Sequence, residues 1–270
     1  MKFIARKPRE GINVSDVHPL TEAGTLVFGL SVIFAAIVLV LVFFVDLVLT
    51  FVSSETEVRI FSTWIPDDLI STEADDVRES ETRALVERLA RHWPDSPYKF
   101  RLEVSASETP NAMALPGGLI IVTTALLDRV GTENELAFVL GHEFGHFRNR
   151  DHIRQLGRGV ALGILFAALR FSKGGGSFGI GIADLTMRGF SRKQESDADS
   201  FGLEIVYAEY GHVDESWRFF DRMIRDDYGN SDLVTYFSTH PSGGDRIENL
   251  KFHARQHGWP LTGPTTPLTW

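Results

Sequence analysis

The chain has 270 residues, a formal net charge of −9 at neutral pH and no cysteine. An acidic chain without a basic stripe is not expected to bind nucleic acid, because that requires clustered positive charge. The lack of cysteine fits an oxidising compartment without requiring one.

The most apolar part of the chain is residues 25–52, where Asp46 is the only charged residue. A helix of that length covers about 42 Å, more than the roughly 30 Å hydrocarbon core of a bilayer. We therefore predict a transmembrane helix over 25–52, preceded by an N-terminal tail of residues 1–24. A cleaved signal peptide fits less well, because the apolar run is too long and no clean small-x-small site follows it.

The charges that flank this helix predict its orientation. Lys2, Arg6, Lys7 and Arg9 precede it, whereas Arg59 is the one basic residue shortly after it. The positive-inside rule places the N-terminus in the cytoplasm and the rest of the chain outside it. In a Gram-negative bacterium, the larger part would lie on the periplasmic side of the inner membrane.

The remaining chain predicts one domain between two simpler segments. Residues 53–76 are polar and acidic and predict a linker, and residues 77–258 suffice for one domain with a substantial core. Residues 259–270, rich in proline and threonine, predict an extended and poorly ordered tail. The domain is expected to be α+β, mostly helical with a small β-sheet. Helices are predicted over residues 77–92, 133–149, 151–170, 184–209, 214–227 and 243–256.

A short sheet is predicted before the first long helix of the domain core. Residues 100–104 and 119–122 are apolar and β-branched, as is typical of strands, and Pro116 with two glycines predicts a turn. A small-residue strand then contains Asn111, Ala112, Met113 and Ala114. Such an edge can pair its backbone with an extended peptide. The alternative is an ordinary strand of a small sheet.

The pentapeptide His142-Glu143-Phe144-Gly145-His146 lies within the predicted helix 133–149. Residues four apart share one face of a helix, so His142 and His146 can hold one metal ion together. Glu143 then lies beside the metal and can take a proton from a bound water, whose pKa zinc lowers to about 7. The motif predicts a zinc site with a general base, against the alternative of two histidines that met by chance.

The segment 159–187 separates this motif from the next acidic cluster. Its first part, residues 159–169, is apolar but too short to cross a membrane, which predicts a buried or membrane-resting helix. A glycine-rich stretch follows. The segment is expected to contact the membrane or to act as a lid beside the cleft, with an ordinary mobile loop as the alternative.

A catalytic zinc needs a third protein ligand and one open position. Glu195 and Asp199 are four apart in a predicted helix, so both carboxylates share one face. We assign Glu195 as the third ligand and Asp199 as the acceptor for the free ring N–H of a ligating histidine. The alternative is a solvated acidic helix face.

His240 precedes Pro241, which disfavours helix at that position. In one interpretation its ring lies at the active site, where it donates to the tetrahedral intermediate or occupies the open zinc position. In the other it bonds a backbone carbonyl and shapes the loop. We favour a position near zinc and leave the role open. Arg246 is expected to anchor this loop or to pair with a carboxylate such as Asp199.

Four separated stretches resemble the M48 family of zinc metallopeptidases, the group of the Ste24-type and HtpX-type membrane proteases and their singly anchored relatives. The stretches are residues 111–118, residues 142–146, Glu195 with Ala198-Asp199, and His240-Pro241 with Arg246. The resemblance covers roughly residues 75 to 255 and shows no departure at a chemical position. It implies a zincin-like fold, one zinc ion held by His142, His146 and Glu195, a catalytic Glu143, and peptide-bond hydrolysis.

The expected function is therefore that of a membrane-anchored zinc endopeptidase acting on extracytoplasmic or membrane-adjacent proteins. Misfolded proteins are the substrates that the resemblance suggests. The alternative is a chaperone-like module that binds clients beside a shut zinc site, with His240 as the fourth ligand. Hydrolysis of something other than peptides is a third possibility, against which the small-residue strand argues. The sequence does not indicate the substrate or the oligomeric state.

Overall fold

The computed structural model describes residues 18–64, 76–171, 190–226, 240 and 245–270. Its helices and strands are α1 (Pro19–Phe51), α2 (Ser54–Trp64), α3 (Asp76–Ala90), β1 (Arg101–Ser105), β2 (Ala112–Leu115), β3 (Leu119–Thr123), α4 (Thr124–Leu127), α5 (Glu133–Arg148), α6 (Asp151–Phe171), α7 (Arg192–Tyr210), α8 (Arg218–Asp226) and α9 (Arg246–Gln256).

The chain divides into two compact units, residues 1–44 and 45–270. The first unit contains most of α1, an apolar helix in which no residue is buried. Among the described residues, α1 is the one helix that is long and apolar enough to cross a membrane. Residues 1–17 of the predicted tail lie outside the described part of the chain.

A second helix, α2, occupies the first part of the segment for which the sequence predicted a linker. Ser53 caps it, since its hydroxyl accepts a hydrogen bond from the backbone N–H of Thr56. Glu57, a charged residue in a polar stretch, is buried on this helix. The segment 53–76 is thus more than a spacer, because part of it belongs to the folded domain. Residues 65–75 lie outside the described residues.

The sheet has three strands in the order β1-β3-β2. The central strand β3 is parallel to β1 and antiparallel to β2, with Ala112 opposite Val122. The prediction of a mostly helical α+β fold with a small sheet is confirmed. In the described sheet β2 is an edge strand, which pairs with β3 on one side.

Helices α5 and α7 pack backbone to backbone. A β-carbon added to Gly145 would lie 2.6 Å from the Cα of Ala198, and one added to Gly202 would lie 3.0 Å from the backbone nitrogen of His142. No larger side chain fits at such a crossing without moving a helix. The small residues therefore set the distance between the two helices. The surrounding core includes Phe138, Phe144, Phe147, Phe201, Leu203 and Ile205.

The helix α7 begins later than predicted. The sequence pattern suggested 184–209, but the helix begins at Arg192 because Ser191 and Gln194 form a capping box. The Ser191 hydroxyl accepts a hydrogen bond from the backbone of Gln194, whose side chain accepts one from the Ser191 N–H. Residues 184–189 lie outside the described residues.

The C-terminal segment 259–270 is extended and packs against the domain. Trp259 stacks on Tyr207 with ring centroids 5.0 Å apart. The carbonyl of Thr266 accepts a hydrogen bond from the N–H of Glu133, the first residue of α5. The expectation of a poorly ordered tail was therefore wrong, because apolar side chains scattered among its prolines and threonines anchor it to the core.

Candidate metal centre

The α5–α7 crossing brings the two predicted motifs together. Because α5 is helical through its motif, His142 and His146 project one turn apart toward α7. From α7, Glu195 projects toward both of them, and Asp199 lies one turn further on. The fourth group, His240, is buried against the same cluster.

The side chains of the cluster lie at the distances of a metal site. The Nε2 atoms of His142 and His146 are 3.1 Å apart, and the carboxylate of Glu195 is 3.5 Å from each of them. Nδ1 of His240 is 3.3 Å from Nε2 of His142 and 3.3 Å from Glu195. All four side chains are buried, and their candidate ligand atoms lie within 4.8 Å of one another.

The donor set fits one metal ion. Nδ1 of His142 faces Asp199 at 2.8 Å, and Nδ1 of His146 faces Asp151 at 3.2 Å. When both rings are neutral and each Nδ1 proton is held by its carboxylate, the two Nε2 atoms direct lone pairs toward the same point, where a metal cation can accept both. Tetrahedral ligands at about 2.0–2.1 Å from a metal are roughly 3.3 Å apart. The observed separations match this geometry.

Charges within the cluster favour cation binding. Burial alone would raise the pKa of Glu195, but the rings of His240 and His142 hold it far below its usual range. Burial lowers the pKa of His142. Burial opposes protonation of His146 too, yet bonds to Asp151 and Glu195 raise its pKa to about 9.

Asp199 orients His142 and is itself fixed by Arg246. The guanidinium donates to both oxygens of Asp199, at 2.9 and 2.6 Å, in the bidentate arrangement that such pairs favour. Burial would raise the pKa of Asp199, but Arg246 and His142 lower it. The ring of Phe220 lies 3.9 Å below the guanidinium and completes its surroundings. Asp199 is thus held ionised in the position from which it can fix the tautomer of His142.

His146 has supporting residues that the sequence analysis did not identify. Asp151, at the start of α6, accepts from its Nδ1, and Gln194 donates to the other oxygen of Asp151 at 2.6 Å. Phe190 stacks on the imidazole with centroids 3.8 Å apart. Asp151 and Gln194 lie on different helices, 43 residues apart, so no helical spacing relates them. The one available signal was that an acidic residue begins a helix shortly after the motif.

Glu143 is fully buried beside the cluster. Among the described residues, neither of its carboxylate oxygens accepts a hydrogen bond. The ring of His240 faces it, with Nε2 3.8 Å from Oε1. Burying a carboxylate that accepts no hydrogen bond from the described residues is costly, which marks Glu143 as a candidate functional residue.

His240 connects the cluster to the edge strand. Its Nε2 lies 3.3 Å from the carbonyl oxygen of Ala112 on β2. The neighbouring Asn111 pairs its backbone with Thr123, while its side-chain oxygen is buried without a hydrogen bond from a described residue. Of the predicted edge residues, Ala112 therefore makes the contact with the cluster, and Met113 and Ala114 continue the strand.

The predicted lid or membrane contact over 159–187 is described in part. Residues 159–171 belong to α6, and residues 172–187 lie outside the described part of the chain.

Comparisons with known proteins agree with the motifs. A family profile described as peptidase family M48 matches residues 76–254. The mitochondrial metalloendopeptidase OMA1 of Schizosaccharomyces pombe is 29% identical over 164 residues, which cover 58% of this chain and 47% of that protein. OMA1 of Bos taurus is 28% identical over 242 residues, with coverages of 80% and 46%. Metalloprotease LoiP of Escherichia coli is 26% identical over 157 residues, with coverages of 55% and 60%. The chain thus spans about half the length of the first two relatives.

Proposed function

Because the chain belongs to peptidase family M48, we propose that it is a membrane-anchored zinc endopeptidase that hydrolyses peptide bonds in proteins. The observation that carries this proposal is the convergence of His142, His146 and Glu195 beside Glu143, a buried carboxylate that accepts no hydrogen bond from the described residues. A purely structural metal site does not require a carboxylate beside its ligands, whereas hydrolysis requires a general base. The two OMA1 relatives are named metalloendopeptidases, which supports a peptide substrate.

Zinc is the metal that we assign to the site, with one ion per chain. Two imidazole nitrogens and one carboxylate oxygen form a ligand set that catalytic zinc uses. Carboxylates hold the far nitrogens of both histidines, as is usual for zinc ligands. When bound, zinc lowers the pKa of a coordinated water and polarises a carbonyl.

Residues of the chain then carry out proton transfer, oxyanion stabilisation and positioning of the metal ligands. Glu143 takes the proton of the attacking water and later delivers it to the leaving amine, as a general base and then a general acid. His240, whose ring lies between the cluster and Glu143, donates a hydrogen bond to the developing oxyanion. Asp199 and Arg246 keep His142 in the required tautomer.

The edge strand β2 is the proposed binding site for the peptide. An extended segment added antiparallel or parallel to this edge forms backbone hydrogen bonds that depend little on side chains. The side chains of Ala112 and Ala114 are buried in the core, so the strand would be recognised through its backbone. Such recognition suits unfolded or misfolded proteins, which expose extended backbone.

We place the domain outside the cytoplasm, with α1 crossing the membrane once. The support is the length and apolar composition of α1 and the basic residues before it. Because the chain has no cysteine, single cysteines report topology directly. An impermeant maleimide is expected to label Ser80→Cys, exposed on α3, in cells with an intact inner membrane, and Lys2→Cys after lysis only. The reverse pattern would contradict the orientation.

A chaperone-like function with a shut metal site is the second candidate. The observation that favours it is the position of His240, whose Nδ1 is as close to the cluster as a fourth ligand would be. Four protein ligands are typical of structural zinc sites. Client proteins would then bind to β2 and leave uncut.

Metal removal and return distinguish the two functions. The full chain, purified in detergent, is stripped with a chelator, reloaded with one equivalent of zinc and mixed with carboxymethylated α-lactalbumin, which is permanently unfolded. We expect new peptide termini, identified by mass spectrometry, with the zinc-loaded protein and none with the stripped protein. Stoichiometric zinc with tight binding of the unfolded protein and no cleavage would overturn the peptidase and favour the chaperone-like module.

A further inference from the structure

The corner between α5 and α6 contacts three separate parts of the molecule. α5 ends at Arg148 and α6 begins at Asp151, and between them Arg150 adopts a left-handed conformation with a φ of 57°. This conformation is unfavourable for a residue with a β-carbon, so it persists where surrounding contacts hold it. Those contacts are made by the side chains of Arg150 and His152, which have no part in the proposed chemistry.

The first contact of the corner is with Glu57 of α2. Nε2 of His152 lies 2.6 Å from one carboxylate oxygen, and Arg150 donates to the other from Nε at 3.2 Å. The hydroxyl of Tyr98 donates to the same carboxylate at 3.3 Å. Burial would raise the pKa of Glu57, but His152 and Arg150 lower it. The carboxylate is completely buried, so its position is fixed by these partners.

The second contact is with the end of α1. Nη1 of Arg150 donates to the carbonyl of Leu49 at 3.2 Å and to that of Val52 at 2.5 Å. The last carbonyls of a helix have no partner within the helix and favour a cation. One guanidinium therefore caps α1 and binds α2 at the same time.

The third contact is with His146, a proposed zinc ligand. Asp151 accepts from Nδ1 of its ring, and Nδ1 of His152 lies 3.3 Å from its carbonyl oxygen. Ring and backbone of one ligand are thus held by two consecutive residues of the corner. The residue before them, Arg150, holds the end of α1.

We propose that Glu57, Arg150 and His152 form a positioning junction that couples the end of α1 to the metal site. A displacement of the α1 end moves Arg150, and the corner carries that movement to His146 through its two neighbours. Glu57 locks the corner, because it binds Arg150 and His152 together. The inference rests on the proposed metallopeptidase function and adds regulation of the same site through the end of α1, at Leu49 and Val52.

The test compares Glu57→Gln with Glu55→Gln in the full chain. Both residues lie on α2, but Glu55 is exposed, so the pair contrasts a buried member of the junction with an exposed neighbour. The readouts are zinc affinity by competition with a chromophoric chelator, the visible spectrum of the cobalt(II)-loaded protein, and kcat and KM on the unfolded substrate. We expect Glu57→Gln to weaken zinc binding about tenfold, the lower end of the effect of outer-shell partners, to shift the cobalt spectrum and to lower kcat with KM unchanged. Glu55→Gln is expected to behave as the wild type.

A second variant covers the case in which Glu57→Gln does not fold. Arg150→Lys keeps the charge beside Glu57 but loses the planar fork that reaches the carbonyls of Leu49 and Val52. It is expected to shift the cobalt spectrum in the same direction by a smaller amount. A wild-type spectrum and zinc affinity in the folded variants would overturn the junction, even with a lower melting temperature. If the wild type binds zinc without cleaving protein, the proposed peptidase function is overturned, and zinc affinity and the cobalt spectrum still test the junction. A wild type that binds no metal would overturn both the peptidase function and the junction.

Discussion

Glu143→Gln is expected to lower the turnover of an unfolded protein substrate about 10²- to 10⁴-fold, the usual contribution of a general acid or base. The amide has nearly the shape of the carboxylate but cannot take a proton from water. Metal binding is expected to remain, since the candidate ligand atoms belong to other residues. The measurements are the initial rate of peptide release and the zinc content by mass spectrometry.

The matched control is Glu87→Gln, which makes the same chemical change on the exposed surface of α3 and is expected to leave both quantities unchanged. Stability gives a second check. Because Glu143 is buried with no described hydrogen-bond partner, replacing its charge with a neutral amide is expected to hold or raise the melting temperature. Equal turnover by wild type and Glu143→Gln would remove Glu143 from the mechanism.

Glu195→Gln is expected to have the second-largest effect, through loss of metal. Glu195 is the one carboxylate among the four candidate ligands. The rings of His240 and His142 lie beside it and favour its ionised form. A neutral amide is a weaker ligand, so we expect zinc affinity to fall at least about 100-fold, the upper end of the range for groups outside the ligand shell. Competition with a chelator of known affinity measures the change.

The control for this variant is Glu204→Gln on the same helix, where the carboxylate is partly exposed and pairs with Arg148. Its zinc affinity is expected to equal that of the wild type. Excess zinc is expected to restore part of the activity of Glu195→Gln and none of that of Glu143→Gln, because the first lacks metal and the second lacks a base. Unchanged zinc affinity in Glu195→Gln would show that the third ligand lies elsewhere.

The parts of the site that could be predicted are those that follow from helix periodicity. His142 and His146 share a face because they are four residues apart, and the same spacing joins Glu195 to Asp199. The edge strand could be predicted because small and β-branched residues flank a proline-glycine turn. In each case the information is local, within one turn or one hairpin.

The rest of the site depends on contacts between distant segments. Glu57 lies in an acidic stretch with the composition of a linker, and its burial follows from partners about a hundred residues away. Asp151 and Gln194 meet across the α6 and α7 starts, which no spacing indicates. The order of the segment 259–270 could not be predicted for a related reason. Its composition is that of a disordered segment, but its few apolar side chains pack against the core and anchor it.

Gly145 and Gly202 let α5 and α7 touch through their backbones, so the distance from the histidine pair to Glu195 depends on how closely these two helices approach. The spacing of these ligands is consequently set by two main chains, and packed main chains shift far less readily than side chains change rotamer. Ions such as Ca²⁺ seek about six to eight oxygen ligands at 2.3–2.6 Å, whereas Glu195 is the one carboxylate among the four candidate ligands. We therefore expect the helix crossing to favour a small ion that accepts nitrogen ligands over Ca²⁺, whatever substrate the protein binds.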